Sequence, residues 1–504
     1  MRLFLILFLI TVSQSSLFSQ QKHWVFFTDK STTNNDFDTP VSKTYTDSLT
    51  SLDFKPISYS KWLNAVVVTD NGNLQQLKNL SFVRHIQQVA PAQKITQTEN
   101  RPTIEAIDFY LNQMSGWDLV NRRLTGYGIK IGVIDAGFSQ LKDHRELNHL
   151  FENNQIVAFK DFIDSTQVGV TDSTMGKAHH GQQVLSKITG YKKDSRDLIG
   201  FATGAKFYLA RTENSKKEHQ VEEYDWVRAL EWMDSLGVKL INSSLGYSKF
   251  DDQTEDYTKK QMNGKVGITT RAAEIAVKEK GIFIVISAGN SGNKDWELIT
   301  VPADAPSVLT VGATKKEGAI KIGYSSIGPD YNDYLKPDVA VYSPNGTSFS
   351  APAVTGYVAC LMEYAPHLSN LELLEVVRKS CSLYPYGNNY IGYGVPNAQK
   401  ALHIIDVGVS KSRFTYEKRH KGTKIKIHLK TTPLRDIAIF EKKDKWTVGD
   451  QYLINPHASK EVLAKRHLKI KIKKGTTILT IQRKSWEKFT TIQNGKEVIE
   501  IIWE

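Results

Sequence analysis

Three patterns of apolar and polar positions follow one another along the chain. Up to about residue 97 short apolar runs are broken by helical spacing. Residues 24–27 (WVFF), 65–68 (AVVV) and 82–86 (FVRHI) predict strands, and Leu74, Leu77 and Leu80 recur at helical intervals. This strand–helix–strand unit has too little apolar surface to be the main core. The polar stretch 89–100 that follows predicts a linker. From about Tyr110 to His403 continuous apolar runs alternate with amphipathic, helix-length stretches. Strands are predicted at 129–134, 207–210, 238–241, 282–286 and 308–311, and helices at about 225–236 and 270–280, stopped by Gly237 and Gly281. Strands apolar on both faces, alternating with helices, predict an α/β fold: a doubly wound, mostly parallel sheet with helices on both faces. From about Asp406 the period becomes two. Residues 424–430 (KIKIHLK) and 467–473 (HLKIKIK) alternate strictly, and 477–482 and 498–503 read likewise, which predicts a small all-β domain with a lysine-rich outer face.

Three predicted strands end in polar or glycine-rich turns: at Asp135, at 243–246 (SSLG) and at 287–290 (SAGN). In open parallel sheets ligands bind beyond the carboxyl ends of the strands, so these turns converge on one edge. Residues 345–356 (NGTSFSAPAVTG) add a serine among small residues just ahead of an apolar run, with Pro352 expected in the first turn of a buried helix. By itself Ser348 reads as a helix cap, the commonest role of such a serine. To act as a nucleophile it needs a base and a group to orient that base. His180, in 179–186 (HHGQQVLS), is the candidate base. Gly181 beside it allows close approach and favours it over His179; a simple turn is the other reading, and His144 is a rival base without a recognisable setting. Asp135 ends a buried strand, where a carboxylate is costly unless it has a partner. Asn290 would offer an amide N–H at a strand end, and the Ser348 backbone N–H a second donor at a helix start.

Composition changes this picture in three places. With 504 residues, 40% hydrophobic and 23% charged, the chain is a soluble globular protein of several domains, not a disordered one. Cys360 and Cys381 are its only cysteines, so no disulfide framework carries the fold, and whether they pair is open. The net charge of +12 is uneven: residues 411–504 hold 23 Lys/Arg against 10 Asp/Glu, and the rest 42 against 43. Such a basic tail suggests docking to an acidic surface, with a solvated lysine face as the plain alternative. The first 20 residues carry one arginine, the apolar run 3–12 and then small polar residues, which reads as a signal peptide and predicts a secreted or periplasmic protein. An exported protein is not expected to meet nucleic acid.

Asp135, His180, Asn290 and Ser348, in that order and those contexts, resemble the subtilisin-like serine proteases (subtilases); Asp, His, Ser is the subtilisin order of the triad. Residues 126–137 (GYGIKIGVIDAG), 180–184 (HGQQV) and 346–352 (GTSFSAP) are similar to the family's aspartate, histidine and serine motifs, and 200–213, 241–247 and 301–314 to its linking segments. The resemblance covers about residues 117–402. It implies a serine endopeptidase with Ser348 as nucleophile, His180 as base, Asp135 as its orienter and Asn290 in the oxyanion hole. It also implies that Ser244, Leu245 and Gly246, with Ser287, Ala288 and Gly289, wall the pocket for the side chain preceding the cut. These walls carry no charge, so an apolar or broad preference is expected. The domains expected are then a signal peptide (1–20), a prodomain-like segment and linker (21–98), a subtilisin-like peptidase domain (99–405) and a basic β-rich domain (406–504). The first of the folded segments would be removed by self-cleavage between about residues 90 and 114. Protein or peptide substrates and the prodomain itself are the expected partners. No cofactor is expected; calcium often stabilises the family, but no carboxylate cluster suggests ligands here. The chain departs from the family in Gln182, in Ala136 and in the short approach 336–348 to the serine. That last departure leaves a second reading, a binding protein on an inactive protease fold.

Overall fold

The computed structural model describes residues 21–31, 36–89, 109–164, 179–213, 222–248, 256–316 and 318–407, and beyond them 415–420, 424–428, 437–455, 467–471, 476, 478–483 and 498–503. The expected signal peptide and most of the expected cleavage region (90–108) lie outside these. The chain divides into two compact units, residues 1–89 and 90–504.

In the first unit the strands Pro56–Ser60, Ala65–Thr69, Lys22–Phe27 and Val83–Gln88 form, in that order, an antiparallel sheet. Val25, Phe27, Val66 and Val68 of its strands pack with Leu49 and Leu77 from the helices Lys43–Ser51 and Leu74–Lys78. The first of those helices and the Pro56–Ser60 strand went unseen in the sequence. The helix (KTYTDSLTS) buries only Thr46 and Leu49, so no apolar stripe announces it.

The second unit is built on seven parallel strands in the order Val339–Tyr342, Leu309–Thr314, Phe283–Ser287, Leu240–Ser243, Lys130–Asp135, Lys206–Arg211, Ile156–Asp161. From Lys130–Asp135 the chain steps out to Ile156–Asp161, fills in Lys206–Arg211, then crosses to Leu240–Ser243 and runs outward the other way. The order therefore reverses between Asp135 and Ser243, and a crevice at such a reversal is where α/β sheets bind ligands. The helix Thr347–Tyr364 packs against the strands and against the helix His180–Thr189, buried almost throughout. Gly356 permits that approach, because a Cβ there would lie 2.6 Å from the Ile188 carbonyl oxygen.

Two edge strands were missed in the sequence, and one explains the short approach to Ser348. Val339–Tyr342 is the last strand of the sheet, so only residues 343–346 remain between it and the helix. Its start is fixed by the buried carboxylate of Asp338, which accepts from Lys336 Nζ (2.7 Å), Arg378 Nε (2.8 Å) and the Thr310 backbone N–H (2.7 Å). Burial alone would raise the Asp338 pKa; the charges of Arg378 and Lys336 outweigh it and hold the carboxyl below its ordinary range. Cys360 and Cys381 are both free, buried thiols, which answers the pairing question.

After residue 407 a second sheet runs Thr415–His420, Val498–Trp503, Ile478–Arg483, Ile437–Lys442, Val448–Ile454, and Lys424–His428 pairs with His467–Lys471. Ala438, Phe440 and Val448 share a core with Ala319, Ile320, Ala340, Leu383 and Ile391 of the α/β body. Asn389 joins the two through its N–H to the Trp446 carbonyl (2.9 Å) and its side-chain oxygen to the Val448 N–H (3.0 Å).

Candidate active site

Asp135 sits at the carboxyl end of its strand, fully buried. Its Oδ1 accepts from the Ala136 N–H (2.8 Å) and faces His180 Nδ1 at 2.7 Å. Its Oδ2 has no hydrogen-bond partner among the described residues. His180 is the first residue of its helix, and the Gly181 N–H donates to the Gly137 carbonyl (2.9 Å). A Cβ on Gly181 would lie 2.6 Å from that carbonyl, which is why glycine follows the histidine. Burial of the imidazole works to lower its pKa. The Asp135 carboxylate, by charge and hydrogen bond, and the Glu213 charge beyond it outweigh burial and raise it above 6.5. His179 instead faces Ser139 Oγ (3.0 Å), and His144 pairs with Glu146 (3.4 Å). Of the three histidines weighed in the sequence, only His180 meets Asp135.

Ser348 is the second residue of the long helix. Pro352 falls four positions after it, in the second turn rather than the first, and its missing N–H leaves the Ser348 carbonyl without an intrahelical donor. Ser244 Oγ supplies the replacement at 3.0 Å. The Ser348 hydroxyl points back to the Ser244 carbonyl at a weak 3.4 Å. Among the described residues no hydrogen bond joins it to His180, although the imidazole lies 5.6 Å from the neighbouring Phe349 ring, tilted 42° to it.

Asn290 follows the Phe283–Ser287 strand. Its Oδ1 accepts from the Thr347 N–H (2.9 Å) and the Thr347 hydroxyl (3.0 Å), while that hydroxyl accepts from the Gly289 N–H (3.1 Å). With its oxygen held this way, the Asn290 NH₂ is left to donate elsewhere. Thr347 is thus a positioning residue that the sequence reading passed over; its signal was the GTS triplet, read only for the serine. Gln182 is buried with neither amide atom bonded among the described residues.

His180, Asn290, Asn345, Ser348 and Phe349 line one groove of about 1510 Å³. The segments 244–246 and 287–289 both leave neighbouring parallel strands at the same edge, and Leu245, Ala288 and Ser244 are buried there. Among the described residues no group of three or more His, Cys, Asp or Glu side chains could hold a metal ion.

Residues 126–394 match the model of the subtilase family, and residues 32–104 that of the peptidase S8 propeptide domain of Bacteroidota. Subtilisin NAT of Bacillus subtilis subsp. natto is 25% identical over 354 residues, 68% of this chain and 81% of that protein. Subtilisin Savinase of Lederbergia lenta is 26% identical over 290 residues, 56% of this chain and 93% of that protein. Among solved structures, a serine-to-alanine mutant of the epidermin leader peptide processing serine protease of Staphylococcus aureus superposes with a TM-score of 0.55 at 19% identity, over 77% of this chain and all of that one, a likeness of fold. With the family's model spanning more than half its length, a seven-stranded parallel sheet and a propeptide ahead of it, this chain belongs to the subtilase family of serine endopeptidases.

Proposed function

We propose that the protein is an exported endopeptidase that cleaves peptide bonds through an acyl-enzyme on Ser348 and matures by cutting off its own propeptide. The observation that carries this reading is the buried 2.7 Å pair of Asp135 with His180, set on the groove that Ser348 also lines. Asp135 accepts the Nδ1–H of His180, which leaves Nε2 free as the base. The Ser348 hydroxyl swings from its long contact with the Ser244 carbonyl, gives its proton to Nε2, and its Oγ attacks the scissile carbonyl carbon. The oxygen that becomes negative is met by the Asn290 NH₂ and the Ser348 N–H. His180 then passes the proton to the departing amine, and water repeats the sequence to release the acyl group.

Export is supported by the signal-peptide pattern of residues 1–20 and by the propeptide match. Substrates are proteins or peptides, the propeptide being the first. N-terminal sequencing of the secreted protein tests the reading. The wild type starts within about residues 90–114, and Ser348→Ala accumulates a form starting near Gln20 or Gln21. Normal processing of Ser348→Ala, in a host without related proteases, rules out self-cleavage. Docking of the basic C-terminal strands to an acidic surface is a separate proposal; salt-independent retention on anionic vesicles counts against it.

A further inference from the structure

The groove on which Asn290 and Ser348 stand does not stop at the base; it runs on along the helix His180–Thr189. His180, Gln183 and Lys187 all line it and fall at i, i+3 and i+7 of that helix, so they form one stripe along its face. At 1.5 Å per residue, Gln183 stands about 4.5 Å and Lys187 about 10.5 Å further along the axis than His180. Lys187 is 7% exposed, yet its ammonium makes no hydrogen bond and no ion pair with another described residue. Burial lowers its pKa, the Glu146 charge works to raise it and Lys192 lowers it again, the balance being downward. Glu146 is close but turned elsewhere: its Oε1 faces His144 Nδ1 and the Ser186 hydroxyl, each at 3.4 Å. Glu152 is taken by Lys193 (3.2 Å). Of the lysines and arginines that line the groove Lys187 alone is buried; Arg145, Asp143 and Asp194 are exposed, where water screens them. An ammonium so far out of water is costly without an anion, and the groove is the side from which one can reach it.

We propose that Lys187 is a specificity-determining residue for the part of the substrate beyond the cut. Its ammonium binds a carboxylate there, and the enzyme prefers an acidic residue at about the third position after the scissile bond. The inference rests on the proteolytic reading above and adds a recognised leaving segment to it. The direction follows from the chemistry. His180 gives its proton to the departing amine, so the leaving segment begins at His180. Residues 244–246 and 287–289, expected beside the residue before the cut, do not line this groove. An extended chain advances about 3.3–3.4 Å per residue, so the distance of about 10.5 Å to Lys187 is spanned by three residues. A carboxylate arriving there makes a charge-assisted hydrogen bond to a cation that is already stripped of most of its water. An aspartate or glutamate side chain and the terminal carboxylate of a short peptide share this chemistry.

The test is kcat/KM on peptides of one sequence that carry Glu, Gln or Lys in turn at the second, third and fourth positions after the cut, with the cut confirmed by mass spectrometry. Wild type, Lys187→Met, Lys187→Arg and Lys187→Glu are compared, and labelling of Ser348 by a fluorophosphonate reports an intact site in each. Wild type should favour Glu over Gln about tenfold, most strongly at the third position, as a hydrogen bond between charged groups contributes. Lys187→Met should bring that ratio to about 1, Lys187→Arg should keep it, and Lys187→Glu should turn the preference towards Lys. Should Lys187→Met fail to label, Lys187→Gln supplies the same comparison. Peptides ending at the third position separate the two sources of carboxylate: preference for the free acid over the amide, with none for an internal Glu, overturns the side-chain assignment. A wild type indifferent to charge at all three positions, or a labelled Lys187→Met whose ratio does not move, overturns the role of Lys187 alone. Absence of both labelling and cleavage in the wild type overturns the proteolytic reading, and this proposal with it.

Discussion

Replacing Asp135 by asparagine isolates what the buried carboxylate does for His180. Four influences act on the imidazole: burial lowers its pKa, while the charge of Asp135, its hydrogen bond and the charge of Glu213 together raise it above its ordinary value. In Asp135→Asn both contributions of the carboxylate are gone and burial stays, so the histidine pKa falls from its wild-type value. Because the base works in its neutral form, the acid limb of kcat/KM moves to lower pH in the variant than in the wild type. The plateau falls as well. An asparagine facing Nδ1 can present its NH₂, which turns the histidine to the wrong tautomer; the same exchange in a protease of unrelated fold costs on the order of 10⁴ in kcat. At 1.36 kcal/mol per decade that is about 5.5 kcal/mol of transition-state stabilisation. The assay is kcat/KM against pH on mature enzyme, the variant's propeptide being removed by tagged wild type that is then withdrawn. A variant within tenfold of wild type, or an acid limb that moves upward, would refute the assignment of Asp135 as the orienting acid.

Asn290→Ala should lower kcat by about 10²–10³ with KM little changed, the loss measured for such an asparagine in subtilisin itself, here a homologue. Thr347→Val should lower kcat about tenfold with unchanged KM, a smaller loss because the Thr347 N–H still holds the Asn290 oxygen at 2.9 Å; an unchanged kcat would remove its positioning role. Asp338→Asn leaves the fully buried Lys336 ammonium without its charge partner, and denaturant unfolding should show a loss of about 3–5 kcal/mol. Since the folded pKa of Asp338 is depressed, its contribution in the wild type is whole above the unfolded value of 3.8 and is lost as the pH falls toward the lower folded value. Stability of Asp338→Asn should accordingly lose that acid-side dependence.

What was legible in the sequence was whatever the chain writes locally. Asp135 and Asn290 stood out because polar residues ended runs such as Ile131 to Ile134 and Phe283 to Ile286, which the sheet buries completely. The edge strands were not legible: Val339–Tyr342 is only four residues long, and Ile156–Asp161 is half-exposed, with Lys160 in its middle. The lysine-rich β region showed its alternating strands but not Ile437–Lys442, which is buried at every position and carries Lys442 paired to Glu500. Contacts between distant segments left no trace at all. That Thr347 holds Asn290 and that Ser244 takes over the Ser348 carbonyl freed by Pro352 both depend on sheet order, not on neighbouring residues.

The most direct test of the account is fluorophosphonate labelling of the mature protein followed by peptide mapping. The account predicts stoichiometric modification of Ser348, abolished in Ser348→Ala and slowed by orders of magnitude in His180→Ala. A mature wild type that stays unlabelled, or one labelled at another residue, would contradict it.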